Sequence, residues 1–216
     1  LTINSGKFGE RFGKICAAFG IDYTEIKNEW NTPVSVEAVI EAIKADPSID
    51  AVFIQICESA GGLRHPVEQI AAEIKKINKD ITIVADGITA VGVEKIDTTN
   101  LDAVVTGSQK ALMLPPGLAM IGFSNAAVAK IESKPRGYYF NLAIEIKTQR
   151  KNTTAWTAAT TLIIGLGAIL EKLKADGFEN LYKQTALRAN ATREALKAIG
   201  FDIYPKTPAN AMTTVY

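Results

Sequence analysis

The run Leu101-Asp102-Ala103-Val104-Val105-Thr106-Gly107-Ser108-Gln109-Lys110 passes from apolar residues into small and polar ones. Two other runs share this form. Ala51-Val52-Phe53-Ile54-Gln55-Ile56-Cys57 is followed by Glu58-Ser59, and Ile81-Thr82-Ile83-Val84-Ala85 is followed by Asp86-Gly87. Nearly continuous apolar runs suit strands covered on both faces. Between them lie segments with helical spacing. Ser35 is placed to cap a helix through Ile43, with Val36, Val39, Ile40 and Ile43 on one face. Pro66 opens another through Ile77, with Val67, Ile70, Ala71, Ile74 and Ile77 inward. Alternation of this kind predicts an α/β domain around a mostly parallel sheet. Ligands of such sheets sit beyond the carboxyl ends of the strands. Ser59, Asp86 and Lys110 are therefore expected to share one crevice.

The reading extends outward in both directions. Leu1 to Asn4 is a short strand, followed by a turn at Gly6 and Gly9 and a helix from Glu10 to Phe19. Tyr23 to Trp30 reads as a more polar strand. Leu118 to Phe123 is a strand after Pro115-Pro116-Gly117, and the short connection from the preceding strand permits an antiparallel pair. Beyond Lys134 the texture changes. An irregular aromatic segment, Tyr138-Tyr139-Phe140, and a polar stretch from Lys147 to Thr154 lead into two long helices, Ala158 to Ala175 and Phe178 to Ile199. Short strands are expected at Phe201 to Tyr204 and Ala211 to Tyr216. This divides the chain into a large domain, residues 1–150, and the connecting helix and start of a small α+β domain, residues 151–216.

Composition excludes several classes. With 24 Lys+Arg against 23 Asp+Glu the formal charge is +1, so no basic excess exists to drive nucleic-acid binding. Apolar residues at 47% and charged ones at 22% suit a globular chain rather than a disordered one. The least polar stretch, Ala155 to Leu170, is too short to span a membrane. Cys16 and Cys57 are the only cysteines and His65 the only histidine. That favours a reduced, cytoplasmic setting and offers no metal cluster, so no metal ligands are assigned.

The strand-end residues carry the chemistry. A carboxylate directly after an apolar strand is poorly solvated and calls for a cationic partner. A lysine between small and apolar residues is expected to be poorly solvated too, which makes its amine more nucleophilic. An aspartate and a lysine in one α/β crevice suit pyridoxal phosphate. The amine condenses with the cofactor aldehyde, and the carboxylate keeps the pyridine nitrogen protonated. On these residues alone, a turn or N-cap aspartate and a surface lysine are the commoner account of the pattern.

A wider set of motifs narrows the choice. Val84-Ala85-Asp86-Gly87-Ile88-Thr89-Ala90-Val91-Gly92, Gly107-Ser108-Gln109-Lys110-Ala111 and Pro115-Pro116-Gly117-Leu118-Ala119 resemble the class V aminotransferases. The alanine–glyoxylate and serine–pyruvate branch is the nearest. Asn4-Ser5-Gly6-Lys7-Phe8-Gly9-Glu10-Arg11, Glu58-Ser59 and Pro66 extend the resemblance over nearly the whole chain.

The resemblance implies a three-layer, aspartate aminotransferase-like fold of type I and pyridoxal 5'-phosphate as cofactor. It makes Lys110 the Schiff-base lysine and proton shuttle, and Asp86 the partner of the pyridine nitrogen. Ile88 corresponds to the aliphatic residue under one ring face, Ser59 to a hydroxyl near the phenolic oxygen, and Gln109 to a cofactor contact near the phosphate. Thr157 corresponds to a threonine that reaches the phosphate from the neighbouring subunit, which implies a homodimer with shared active sites. Thr154 stands where the family often has a tyrosine and is the remaining phosphate candidate. The implied reaction moves an amino group from a small amino acid of the alanine or serine type to a 2-oxo acid such as glyoxylate or pyruvate.

The family's phosphate loop and ring-stacking aromatic lie upstream of the matched region, and its substrate-carboxylate arginine lies downstream. The chain is therefore expected to be an internal piece, inactive by itself. A non-catalytic folded fragment or dimerisation unit is the alternative. A cysteine desulfurase is a further one, but that group places histidine before the lysine, where Gln109 stands here, and needs a mobile cysteine. Some relatives carry a soluble-hydrogenase label, which two cysteines and one histidine do not support. The remaining features have structural readings: His65 as a polar helix-entry residue, Cys57 as a small buried hydrophobe, Gly165-Leu166-Gly167 as close helix packing, and Lys75, Lys76 and Lys79 as a solvated helix face.

Overall fold

A computed structural model describes residues 1–216. Its strands are β1 (Thr2–Asn4), β2 (Glu25–Lys27), β3 (Ala51–Gln55), β4 (Cys57–Glu58), β5 (Leu63–Arg64), β6 (Thr82–Asp86), β7 (Ala103–Gly107) and β8 (Ala119–Phe123). Its helices are α1 (Gly9–Ala18), α2 (Val36–Ala45), α3 (Val67–Ile77), α4 (Asn125–Ser133), α5 (Leu142–Gln149), α6 (Thr160–Asp176) and α7 (Phe178–Ala198).

Six strands form one sheet in the order β2-β1-β3-β6-β7-β8. All pairs are parallel except β7 with β8, which run antiparallel. Strands β4 and β5 form a separate antiparallel hairpin. The pairing of Gln55 with Asp86, and of Asp86 with Val105, puts the carboxyl ends of β3, β6 and β7 along one edge. The mostly parallel sheet predicted from the apolar runs is present.

Alternation along the strands explains the layering. Ile3, Val52, Ile54, Ile83 and Ala85 are fully buried on one face, against Val39 and Ile43 of α2 and Val67, Ile70 and Ile74 of α3. Each buried isoleucine contributes about 2 kcal/mol through removal from water. Helix α1 lies on the opposite face, where Phe12 meets Phe53 with ring centroids 5.3 Å apart. Ser35 caps α2 as expected, its hydroxyl accepting from the Ala38 amide at 3.1 Å.

Some elements differ from the sequence reading. The polar strand shrinks to Glu25–Lys27, because its flanks are exposed and only β1 is there to pair with. The strand from Ala51 ends at Gln55. The Ile56 amide still bonds to the Asp86 carbonyl, but the chain then turns into the hairpin. Helices α4 and α5 were not anticipated, although Ser124 and Asn141 cap them with side-chain oxygens. The two terminal strands reduce to a single bridge between Ile203 and Val215. Pro205 and Pro208 lack amide donors there. The intervening chain bonds instead to the hairpin, through Arg64 N to Thr207 O and Ala209 N to Gly62 O, each 2.8 Å.

Candidate active site

The candidate site lies at the carboxyl edge of β3, β6 and β7. Asp86 ends β6, half-buried, and its Oδ1 accepts from the Ile88 amide at 3.0 Å. No hydrogen bond occupies Oδ2. Burial pushes the Asp86 carboxyl above the usual range, against the Ile88 amide and the positive charges of Arg11 and Lys110. Lys110 lies in the turn after β7, exposed and without an ion-pair partner. The expected desolvation of this lysine is thus not found, because the turn after β7 leaves its side chain open to solvent. Gln109 is also exposed.

Gly107 fixes how these residues meet. A Cβ at this position would stand 2.7 Å from Gln109 Oε1 and 3.1 Å from Ile88 Cδ1. With no Cβ there, the ends of the Gln109 and Ile88 side chains both approach the end of β7. Asp86, Ile88, Gln109 and Lys110 therefore form one group. Ser59 follows β4 on the hairpin, half-buried. Thr154 donates to the Trp156 carbonyl at 2.6 Å, and Thr157 is exposed. Neither threonine hydrogen-bonds to the Asp86–Lys110 group.

Several residues around the crevice carried no role in the sequence reading. Glu58 is fully buried, and its carboxylate accepts from the amides of Phe8 at 3.1 Å, Gly9 at 2.7 Å and Ala60 at 3.0 Å. Its signal was the same as that of Asp86, a carboxylate directly after an apolar strand. Gln55 is buried beside Asp86 in the ladder, donates to the Phe8 carbonyl at 3.1 Å and leaves its Oε1 unpaired. Arg11 lies one turn into α1, its guanidinium 5.0 Å from the Phe8 ring centroid. Arg64 binds Glu94 and Glu68, each at 2.6 Å, and so ties the hairpin to the loop after Asp86.

The donor set fits pyridoxal phosphate. Asp86 offers a poorly solvated carboxylate oxygen without a partner, suited to a protonated ring nitrogen. Lys110 offers an amine without a competing ion pair, and Ile88 an apolar surface beside the carboxylate.

Comparison with known proteins decides the family. The profile for class-V aminotransferases matches residues 13–215. The chain belongs to the class V aminotransferase family. An aminotransferase of Helicobacter pylori, itself uncharacterized, is 48% identical over the whole chain, which spans 58% of that relative's length. An L-aspartate–glyoxylate aminotransferase of Paracoccus denitrificans is 29% identical, with 96% of this chain and 54% of the relative covered. The solved structure of a subgroup IV aspartate aminotransferase from Thermus thermophilus superposes with a TM-score of 0.92 at 28% identity, over 100% of this chain and 60% of that one. The aspartate aminotransferase-like fold inferred from the motifs is therefore shown. Class V aminotransferases are pyridoxal-phosphate proteins, and the cofactor expectation stands with membership.

Proposed function

We propose that the whole protein is a pyridoxal-phosphate-dependent transaminase. It moves an amino group from a small amino acid of the alanine or serine type to a 2-oxo acid such as glyoxylate or pyruvate. The observation that carries this reading is the pairing of Asp86 and Lys110 at neighbouring strand ends, one carboxylate oxygen unpaired and the amine without an ion pair. The glyoxylate named for the Paracoccus denitrificans relative supports the acceptor.

When bound, the cofactor supplies an aldehyde for amines and a ring that takes up the electron pair of a deprotonated carbon. The chain's residues do the rest. Lys110 anchors the cofactor through its Nζ and moves a proton at the substrate α-carbon as base and then acid. Asp86 holds the ring nitrogen protonated, and the poor solvation of its carboxyl strengthens that contact. Ile88 excludes water from one ring face. Gln109 and Ser59 orient the phosphate and phenolic ends.

Thr157, and Thr154 beside it, complete the phosphate site of a partner subunit in this proposal, so the protein works as a homodimer. Helix α6 supports that. It is apolar from Leu162 to Leu170 yet leaves Ile163, Ile164 and Leu170 exposed. A helix apolar on all sides is normally covered. Residues 1–150 are proposed as the cofactor-binding domain and 151–216 as the beginning of a smaller one. The cytoplasm is the proposed compartment, supported by two free thiols, Cys16 and Cys57.

The test is an absorbance titration with pyridoxal phosphate on the protein from its complete reading frame. A visible band that disappears in Lys110→Ala, with transamination of alanine or serine against glyoxylate, is the expected result. No band in the wild type would sink the reading. The 216-residue chain by itself is expected to give no turnover.

A further inference from the structure

The last paired residues of β7 and β8 are Gly107 and Ala119, so residues 108–118 lie outside the ladder. Lys110 sits in this loop. Such a segment opens at little cost unless something else holds it. Two things do. One is Ser108, fully buried, whose hydroxyl donates to the Pro115 carbonyl at 2.7 Å and accepts from the Leu118 amide at 3.3 Å. Its backbone adds bonds from Leu114 N at 3.0 Å and to Leu118 O at 3.1 Å.

The other is α6, which begins at Thr160 and interlocks with the loop at two glycines. A Cβ on Gly117, whose φ is +151°, would stand 2.5 Å from Leu162 Cδ1. A Cβ on Gly165 would stand 3.0 Å from Leu114 Cδ2. Leu162 of the helix thus fills the space over Gly117 of the loop, and Leu114 of the loop fills the space over Gly165 of the helix. Between Lys110 and these contacts, Met113 takes a left-handed φ of +56° with its side chain exposed. A non-glycine residue stays in that region only when its surroundings hold it there. The Met113 amide closes the turn on the Lys110 carbonyl at 2.9 Å.

We propose that Leu162 and Gly165 of α6 are positioning residues for Lys110. They hold the loop in its strained path and so set where the amine stands relative to Asp86. This rests on the assignment of Lys110 as the cofactor lysine. A small misplacement of that amine is costly, because it must reach both the cofactor and the substrate carbon.

The test compares wild type, Leu162→Ala, Leu162→Val, Leu162→Met and Lys172→Ala, all from the complete reading frame. The first readout is hydrogen exchange at the Leu114 and Leu118 amides without cofactor. The second is the rate at which added pyridoxal phosphate forms a borohydride-reducible adduct mapped to Lys110, followed against pH. Leu162→Ala is expected to speed exchange at both amides about tenfold and to slow adduct formation by a similar factor. Leu162→Val is expected to fall between, and Leu162→Met to restore both because it refills the volume. Lys172→Ala, which loses only an exposed ion pair, is expected to match wild type. Unchanged loop exchange in both truncations overturns the proposal. So does exchange that rises equally at Ile83 and Ala103 in the sheet, the sign of general destabilisation. A wild type that forms no adduct at Lys110 overturns the assignment of that lysine, and the positioning role falls with it. In that case the exchange data still decide separately whether α6 anchors the loop.

Discussion

Gly9 donates its amide to Glu58 Oε2 at 2.7 Å, so a carboxylate from the hairpin caps a helix 49 residues earlier in the chain. Helix α1 has no cap of its own, because Phe8 stands at its N-cap position and offers no side-chain acceptor. Glu58 takes that role and stands at the positive end of the helix. It also accepts from Phe8 and Ala60, so one side chain ties the start of α1 to the Ser59 loop. Burial pushes its carboxyl above the usual range despite these three donors.

Glu58→Ala is therefore expected to leave three amides without acceptors and to cost about 3 kcal/mol of stability. Glu58→Gln should also destabilise, because its NH2 group would face an N–H donor. Urea unfolding measures both. Equal stability of either variant and the wild type would contradict the capping role.

His65 gives a second prediction. It stands at the entry of α3, directly before the N-cap Pro66, as the sequence suggested, but it is fully buried, with the start of α2 over it. Its Nδ1 accepts from the Val34 amide at 3.1 Å, and its Nε2 has no partner. Burial, then the nearby Arg64 charge, lowers its pKa from 6.5 to about 4. The folded protein keeps it neutral while the unfolded chain takes up a proton below the ordinary value. Its stability contribution is therefore full above pH 6.5 and falls as pH drops towards about 4. The loss amounts to about 3 kcal/mol. His65→Asn retains an acceptor for Val34 and should flatten that part of the stability profile. An unchanged slope between wild type and variant would rule this out.

How legible these features were depended on their range. The apolar runs of β3, β6 and β7 marked parallel strands because local composition reports two-sided burial. Asp86 and Lys110 stood out because a charge at a strand end is a local anomaly. Glu58 showed the same anomaly, but its partners at Phe8 and Gly9 are set only by folding. Helices α4 and α5 bury few residues, so the apolar stripe that reveals α2 and α3 is weak in them. The exposure of Lys110 is set by the path of the loop between β7 and β8, which local composition does not report.

Lys75 shows the same limit and yields a third prediction. Its helix face reads as solvated, yet its Nζ binds Asp102 Oδ2 at 2.6 Å and the Ile81 carbonyl at 2.7 Å. Burial pushes the Asp102 carboxyl up, but Lys75, the Ile83 amide and the Ser124 hydroxyl together bring it below the usual range. A depressed carboxyl contributes stability above its unfolded value, near pH 4, and loses it as pH falls through the folded value. Lys75→Ala is expected to cost about 3 kcal/mol, since a buried charge loses its partner. Lys76→Ala, with its exposed pair to Glu73, should cost under about 1 kcal/mol. Thermal unfolding at pH 7 separates the two. A similar small effect from both would show that Asp102 finds other compensation.

The last prediction concerns thiol chemistry. Cys57 is 4% exposed, and burial, then the charges of Glu94 and Glu58, pushes its thiol up to about 12, with Arg64 opposing. Reaction requires the thiolate, so at pH 8 only about one molecule in ten thousand is competent. Cys16 is buried in α1, 7% exposed. Neither residue should react with Ellman's reagent in the folded protein at pH 8, and both should react in guanidinium. Cys57→Ala should keep the cofactor adduct at Lys110, because the amine chemistry involves no sulfur. Rapid labelling of Cys57 in the folded state would instead show an accessible thiolate and contradict its burial.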